Sequence, residues 1–131
     1  MRKNCILTMF VALGISISSC SSVSKVQHDS MLEKIWTHDT EESTEQYDLY
    51  RPSDYKVFPP SRYRQVFDFK KDGVCEYLFL EPTDGHMMRI GKWNLDEKTN
   101  SIKIYDQHAV LLYQFEVVEM SDDLLKLKAK N

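Results

Sequence analysis

The fold class is decided by two runs of sequence joined by a short polar connection. Tyr63-Arg64-Gln65-Val66-Phe67-Asp68-Phe69 leads through Lys70-Lys71-Asp72-Gly73 into Val74-Cys75-Glu76-Tyr77-Leu78-Phe79-Leu80. Runs rich in aromatic and branched apolar residues on either side of Asp-Gly are a strong β-hairpin signal. The stretch therefore predicts two antiparallel strands and, with them, an all-β domain.

The sequence is compatible with two registers for this hairpin. A two-residue loop would group Phe67 and Phe69 with Val74, Leu78 and Leu80, whereas a longer turn with Gly73 as a left-handed bulge would group them with Cys75, Tyr77 and Phe79. A shift of one residue exchanges the two faces of a strand. We favour the bulged turn because it collects the aromatic side chains and buries the thiol of Cys75.

Further runs of strand length follow at the spacing expected of a barrel or sandwich. Turn signals separate them, as at Asp96-Glu97-Lys98-Thr99-Asn100, and Trp93, Leu95, Ile102 and Ile104 alternate so as to share an inner face. A bulge is expected at Val117-Val118. Consecutive hairpins close most simply as an up-and-down barrel of about eight strands. The predicted strands cover residues 32–36, 45–50, 63–69, 74–80, 87–95, 101–105, 110–119 and 124–129.

Residues 31–131 resemble the small lipocalin-like lipoproteins of bacteria. The residues that carry this resemblance are structural: Trp36, Pro59-Pro60-Ser61-Arg62, Phe67-Asp68-Phe69-Lys70-Lys71-Asp72-Gly73, Pro82-Thr83-Asp84-Gly85, Gly91-Lys92-Trp93 and Leu124-Leu125-Lys126-Leu127. The resemblance implies a small antiparallel barrel that can hold an interior or end-on cavity. Two departures are Lys34, where true lipocalins have glycine two residues before the first tryptophan, and the short chain, which favours a solid interior.

The first 30 residues resemble a lipoprotein signal segment and tether. Arg2 and Lys3 precede an apolar stretch from Cys5 to Ile17, and Ile17-Ser18-Ser19-Cys20 is similar to a bacterial lipobox. The alternative, a transmembrane helix, needs about 20 apolar residues. The resemblance implies a cleaved signal peptide over residues 1–19, diacylglyceryl attachment at Cys20, a flexible tether over 20–30, and a domain over 31–131. By the sorting rule of the Gram-negative lipoproteins that this segment resembles, Asp after the acylated cysteine favours the inner membrane, so Ser21 favours the outer membrane.

Composition and motifs exclude several function classes. Loss of Arg2 and Lys3 with the signal segment would take the net charge from −3 to −5, and an acidic chain without a basic run is not expected to bind nucleic acid. Cys75 would be the single thiol left, so no internal disulfide is expected and the thiol is predicted to be buried and inert. No nucleophile-elbow, phosphate-loop or dinucleotide motif is present, so we expect no cofactor and no enzymatic activity.

Metal binding is likewise not expected. His28, His38, His86 and His108 lie far apart in sequence and lack the spacing of zinc ligands. The acidic run that starts at His38, His38-Asp39-Thr40-Glu41-Glu42, lies between two predicted strands and is predicted to be a solvated turn.

The candidate binding segment is residues 47–64. It combines tyrosines, arginines and prolines without a periodic pattern, and long irregular loops in compact domains are commonly binding loops. Arginine forks and tyrosine faces suit an anionic or sugar-like ligand, or a partner protein. The alternative is that the aromatic residues only cap one end of the barrel. The predicted ligand contacts are Tyr50, Arg51, Tyr55, Arg62 and Arg64.

These observations predict a non-catalytic, lipid-anchored protein of the cell envelope that binds a small ligand or an envelope partner. The alternative is a structural or inhibitory interaction module with a solid barrel. An apolar cavity with a few converging polar groups would favour ligand binding. A filled barrel with a large exposed apolar patch would favour the interaction module.

Overall fold

The computed structural model describes residues 29–83 and 85–130, and its fold is an all-β closed barrel of eight antiparallel strands. This architecture confirms the predicted fold class. In chain order the strands are β1 (Ile35–His38), β2 (Asp48–Pro52), β3 (Val66–Phe69), β4 (Val74–Leu80), β5 (His86–Asp96), β6 (Ser101–Asp106), β7 (Leu111–Met120) and β8 (Leu125–Ala129).

The strand order differs from a simple up-and-down barrel at one place. Strands β3 to β8 follow one another as hairpin neighbours, but β1 lies between β2 and β3, and β2 pairs with β8. Because β2 and β3 run in the same direction, residues 53–65 must cross β1. The Ser53 N–H donates to the Ile35 carbonyl at one end of β1 (3.0 Å), and the His38 N–H donates to the Gln65 carbonyl at the other (2.9 Å). Residues 53–65 are called the crossover segment below.

The β3–β4 hairpin adopts the bulged register. Phe69 pairs with Cys75 and Phe67 pairs with Tyr77. Asp72 and Gly73 both have left-handed backbone angles, with φ of 63° and 73°, and glycine tolerates that region at little cost. All four paired side chains are buried, so the prediction of this face, including the buried thiol, is confirmed.

The β5–β6 pair confirms the other predicted inner face. Trp93 pairs with Ile104 and Leu95 pairs with Ile102, and all four side chains are buried. The predicted bulge near Val118 is also present, because the β7–β8 register shifts between Val117 and Glu119.

Gly91 marks the point on β5 where pairing with β6 begins, opposite Asp106. A Cβ atom at this position would lie 2.2 Å from the Tyr105 carbonyl oxygen and 3.1 Å from the Tyr77 ring. Real Cβ atoms do not approach backbone oxygen so closely, and only glycine fits here without movement of the strands.

One end of the barrel, called the base, is closed by a helical turn over residues 29–32. Leu32 of this turn is fully buried, and its carbonyl accepts a hydrogen bond from the Trp36 indole (3.0 Å). Asp29 and Ser30, which the sequence placed in the tether, belong to this turn. The predicted signal peptide and Cys20 lie outside the described residues.

Candidate functional site

The middle of the barrel is filled by aromatic rings. Phe67 is fully buried, and its ring centroid lies 5.6 Å from that of Tyr50, 5.8 Å from Phe69, 5.4 Å from Tyr113 and 6.0 Å from Phe115. Tilted and edge-to-face contacts at these separations are favourable beyond the apolar area they bury. The side chains that meet here come from β2, β3 and β7, so they occupy the space in which a ligand of a larger barrel would lie.

Tyr50, a predicted ligand contact, is one of the side chains packed inside the barrel. It is 3% exposed and stacks on the His38 ring at 4.9 Å. Burial raises the pKa of Tyr50 well above its ordinary value and lowers the pKa of His38. The structure therefore places Tyr50, the central residue of β2, among the packed core residues.

Arg51 and Tyr55 lie together on the outside of the barrel. The Arg51 guanidinium lies 4.6 Å from the centre of the Tyr55 ring and donates to Glu42 Oε2 (2.9 and 3.1 Å) and to the Asp123 carbonyl (2.9 Å). These bonds join the β1–β2 connection to the β7–β8 turn. The donors of Arg51 are thus engaged within the protein.

Arg64 is also engaged within the protein. Its guanidinium donates to both carboxylate oxygens of Glu41 (2.8 and 2.9 Å) and to the carbonyls of His38 and Pro59 (2.8 Å each). The hydrogen bonds from Arg64 lower the pKa of Glu41 to about 2. Arg62, by contrast, is exposed on the same segment. The five predicted contacts therefore do not converge on one point.

In the acidic run after β1, Thr40, Glu41 and Glu42 form an exposed turn as predicted, but Asp39 is not solvated. Asp39 is fully buried, and its Oδ2 atom lies 2.6 Å from the Lys56 ammonium. This oxygen has no hydrogen-bond donor of good geometry in the described part of the chain, so its counter-charge is Lys56. The error arose because the crossover segment, which covers Asp39, is distant in sequence. The run serves to fasten that segment.

Cys75 and the three described histidines, His38, His86 and His108, do not form a reactive cluster. Burial raises the pKa of Cys75 to about 11, so its thiol is neutral at physiological pH and a poor nucleophile. Within the described ranges, no group of three or more histidine, cysteine or acidic residues is arranged to hold a metal ion.

The opposite end of the barrel, where β4 and β6 end and β5 and β7 begin, is called the rim. It carries a set of large apolar side chains that are 38% to 62% exposed. We name this set the rim patch; its members are Leu80, Met87, Met88, Ile90, Val110, Leu111 and Leu112. Sequence reasoning missed it. The sequence did contain a signal for it: the consecutive apolar residues Met87-Met88 and Val110-Leu111-Leu112. In a half-buried strand, apolar and polar residues would alternate instead.

The rim also has a notch. Strand β5 begins at His86, but its pairing with β6 begins only at Gly91. Residues 86–90 therefore pair with β4 on one side and have no strand neighbour on the other among the residues that the structure describes. A groove of about 390 Å³ lies there, with residues 88–90 on one side, residues 106–108 on the other and Tyr77 between them. The rim patch lies on both sides of this notch.

Comparison of the chain with protein-family models, curated proteins and solved structures gave no significant match. Over residues 29–83 and 85–130, no helix has the length and apolar character needed to cross a membrane.

Proposed function

We propose that this protein is a lipid-anchored, non-catalytic interaction module of the cell envelope, and that it binds another envelope protein through the rim patch. The observation that carries the proposal is the combination of a barrel filled with side chains and a set of seven exposed apolar residues at one end. A filled barrel has no room for a buried ligand, and large exposed apolar patches on soluble domains commonly mark interaction sites.

The energetics support a protein partner. Each exposed apolar residue gains about 25 cal/mol for every Å² removed from water, so covering seven such side chains is a substantial driving force. Met87 and Met88 are flexible and polarizable, and methionine adapts well to the contours of a partner surface. Scattered single apolar residues would need no explanation, but these seven share the rim.

The position of the chain entry also favours a partner that lies away from the tether. The described chain enters at the base through the helical turn, whereas the rim patch is at the opposite end. If Cys20 carries the lipid, residues 20–28 span at most about 30 Å, so the anchor joins the base more directly than the rim. The lipobox resemblance and Ser21 support attachment to the outer membrane.

A small ligand at the rim is the second candidate. The groove of about 390 Å³ falls within the size range of ligand pockets and places Arg89, Asp106 and His108 near apolar side chains. This arrangement places hydrogen-bonding groups beside apolar surface, as a small polar ligand would need.

The test is photo-crosslinking of the full-length protein in its own envelope. The double variant Ile90→Lys/Leu111→Lys should lose most crosslinked protein adducts, because two charges would have to be desolvated at the contact. Val57→Lys is the matched control, since Val57 is 97% exposed but lies on the crossover segment. Equal adducts in both variants would refute the proposal. A small molecule retained by the wild-type protein in native mass spectrometry, and lost in the double variant, would support the second candidate.

The anchor is tested separately with Cys20→Ser. We expect loss of acylation and accumulation of a precursor, measured by intact mass and detergent partitioning. A variant that is still acylated would contradict the assignment of Cys20.

A further inference from the structure

Within the described part of the chain, one side of β5 has no strand partner over residues 86–90 and presents three backbone donor and acceptor pairs. Across the β4–β5 hairpin, the Glu81 N–H donates to the Gly85 carbonyl (2.7 Å). In an antiparallel pair the backbone groups of successive residues point alternately toward and away from the partner strand. Because the backbone groups of Glu81 point to β5, the register makes the backbone groups of Met87, Arg89 and Gly91 bond to β4. The backbone N–H and C=O groups of His86, Met88 and Ile90 then point to the notch.

The notch begins where β6 stops, and the stop is built into the turn that follows. Asp106 Oδ1 accepts hydrogen bonds from the His108 and Val110 N–H groups (2.8 and 2.9 Å), and Ala109 has a left-handed φ of 62°. These contacts turn the chain into β7 and prevent β6 from continuing along β5. Because β7 pairs with β6 only from Leu111, opposite Tyr105, no described strand lies beside residues 86–90 beyond Asp106, and this edge of β5 is open.

This edge lacks the features that usually protect an exposed strand edge. Natural edges carry lysine, proline, bulges or inward-pointing charges that prevent pairing with another chain. Residues 86–90 contain one such charge, Arg89, and its guanidinium lies 3.6 Å from the centre of the Phe79 ring and 3.0 Å from Glu81. It is therefore neutralised by its own hairpin. The outward side chains beside the free backbone groups, Met88 and Ile90, are apolar.

We propose that the notch binds an extended peptide segment of the partner, which adds to β5 as a strand in the position that β6 vacates and pairs with His86, Met88 and Ile90. The inference rests on the proposed function and specifies the chemistry of the partner: an extended segment with apolar residues at alternate positions, laid beside Met88 and Ile90. Main-chain hydrogen bonds supply the pairing and the alternate side chains supply selectivity.

A single strand fits this geometry better than a second copy of the chain. The turn over residues 107–110 limits the notch at its lower end, and the groove of about 390 Å³ accommodates only a few residues. A second copy paired through the same edge would bring its own 81–85 connection against that turn. A single extended segment avoids that collision.

The proposal can be tested by attaching such a strand to the protein through a flexible linker. Lys130, near the end of the chain, donates its N–H to the Gln114 carbonyl on β7, one strand away from β6. A flexible Gly/Ser linker of about twelve residues, followed by about six residues of alternating threonine and valine, would present the strand at millimolar effective concentration. The control extension replaces each valine with proline, which cannot donate to a ladder.

The readout is residue-resolved amide hydrogen exchange in the full-length protein. We expect the amides of His86, Met88 and Ile90 to exchange at least about tenfold more slowly with the threonine-valine extension than with the proline control, while Met87 and Arg89, already bonded to β4, do not change. Met88→Pro should abolish the added protection at His86 and Ile90 without breaking a bond to β4. Met88→Thr, which keeps the N–H, should retain it.

Three outcomes would overturn the inference. The first is no added protection at the three edge amides. The second is equal slowing of all five amides, which would indicate general stabilisation. The third is concentration-dependent protection without any extension, which would mean that a second copy occupies the edge. If crosslinking still depends on Ile90 and Leu111 in any of these cases, the proposed function stands and only the mode of binding is wrong.

Discussion

The Oδ2 atom of Asp39 lies 2.6 Å from the Nζ atom of Lys56, which fastens the crossover segment to the end of β1. Asp39 is fully buried, and a buried carboxylate without a counter-charge is strongly destabilising. The close contact with the Asp39 carboxylate also raises the pKa of Lys56 above its ordinary value. The pair therefore holds the one connection that departs from hairpin order.

Replacement of Lys56 should loosen that connection. We expect Lys56→Met to lower the melting temperature clearly, because the Asp39 carboxylate would stay buried without its partner, whereas Lys56→Arg should change it little. Thermal unfolding by circular dichroism measures both. Equal melting temperatures for the methionine variant and the wild type would show that water replaces the ammonium.

Arg64 and Arg62 both lie on the crossover segment, so a substitution at Arg62 is the control for the same substitution at Arg64. Arg64→Gln should cost about 1–3 kcal/mol of unfolding free energy, since charged hydrogen bonds to two carbonyls and to Glu41 are lost. Arg62→Gln should cost less than about 0.5 kcal/mol, as is usual for exposed substitutions. Urea denaturation measures the unfolding free energy of each variant. Similar losses for both variants would contradict a structural role specific to Arg64.

Gly91 should not tolerate a side chain. Gly91→Ala would place a methyl group 2.2 Å from the Tyr105 carbonyl oxygen, and forced crowding of this kind costs about 1–3 kcal/mol. Gly85→Ala is the control, because its nearest neighbour would be 3.5 Å away. The comparison of unfolding free energies tests the close approach of β5 and β6. A neutral Gly91→Ala would show that the two strands can separate locally.

Trp93 should be a principal core residue. It is 7% exposed, its ring centroid lies 5.0 Å from that of Phe69, and its indole N–H donates to the Lys70 carbonyl (3.0 Å). Trp93→Ala should cost about 3–5 kcal/mol, and Trp93→Phe, which keeps a ring but loses the hydrogen bond, should cost less. Equilibrium denaturation measures both. A loss below about 1 kcal/mol for alanine would move Trp93 out of the core.

The buried Cys75 thiol should make the free energy of unfolding decrease above about pH 9. Burial raises its pKa from an ordinary 9.0 to about 11, so between these values the unfolded thiol loses its proton while the folded one keeps it. The unfolded state then binds fewer protons, and the free energy of unfolding decreases as pH rises from 9 to 11. The decrease should be shallower in Cys75→Ala. Rapid labelling of the native thiol at neutral pH would contradict the buried setting.

Much of the barrel was predictable because its signals are local. Alternation of apolar and polar residues depends only on strand geometry, and the left-handed turn at Asp72 and Gly73 depends on residues that tolerate positive φ. The inner face of Trp93, Leu95, Ile102 and Ile104 and the β3–β4 register followed from these signals. The boundaries of β4 were predicted to the residue.

The candidate site was less predictable because it depends on contacts between distant parts of the chain. Tyr50 and Arg51 are adjacent in sequence, yet one packs in the barrel and the other lies on its surface, since β2 has an inner and an outer face. Whether an arginine is available to a ligand depends on its partners, and those of Arg64 include Glu41, 23 residues away. Composition alone did not distinguish engaged from available arginines.

The sequence by itself determined the class of fold, the pairing of most neighbouring strands and the inner faces of the β3–β4 and β5–β6 hairpins, because side-chain periodicity and turn chemistry act over a few residues. Only the tertiary structure decided that β1 lies between β2 and β3, that Asp39 is buried beneath the crossover segment, and that β5 extends beyond the end of β6 at Asp106. Each depends on which strands meet around the closed ring and where their ends align. That alignment is set by the whole barrel, so no local stretch of sequence contains it.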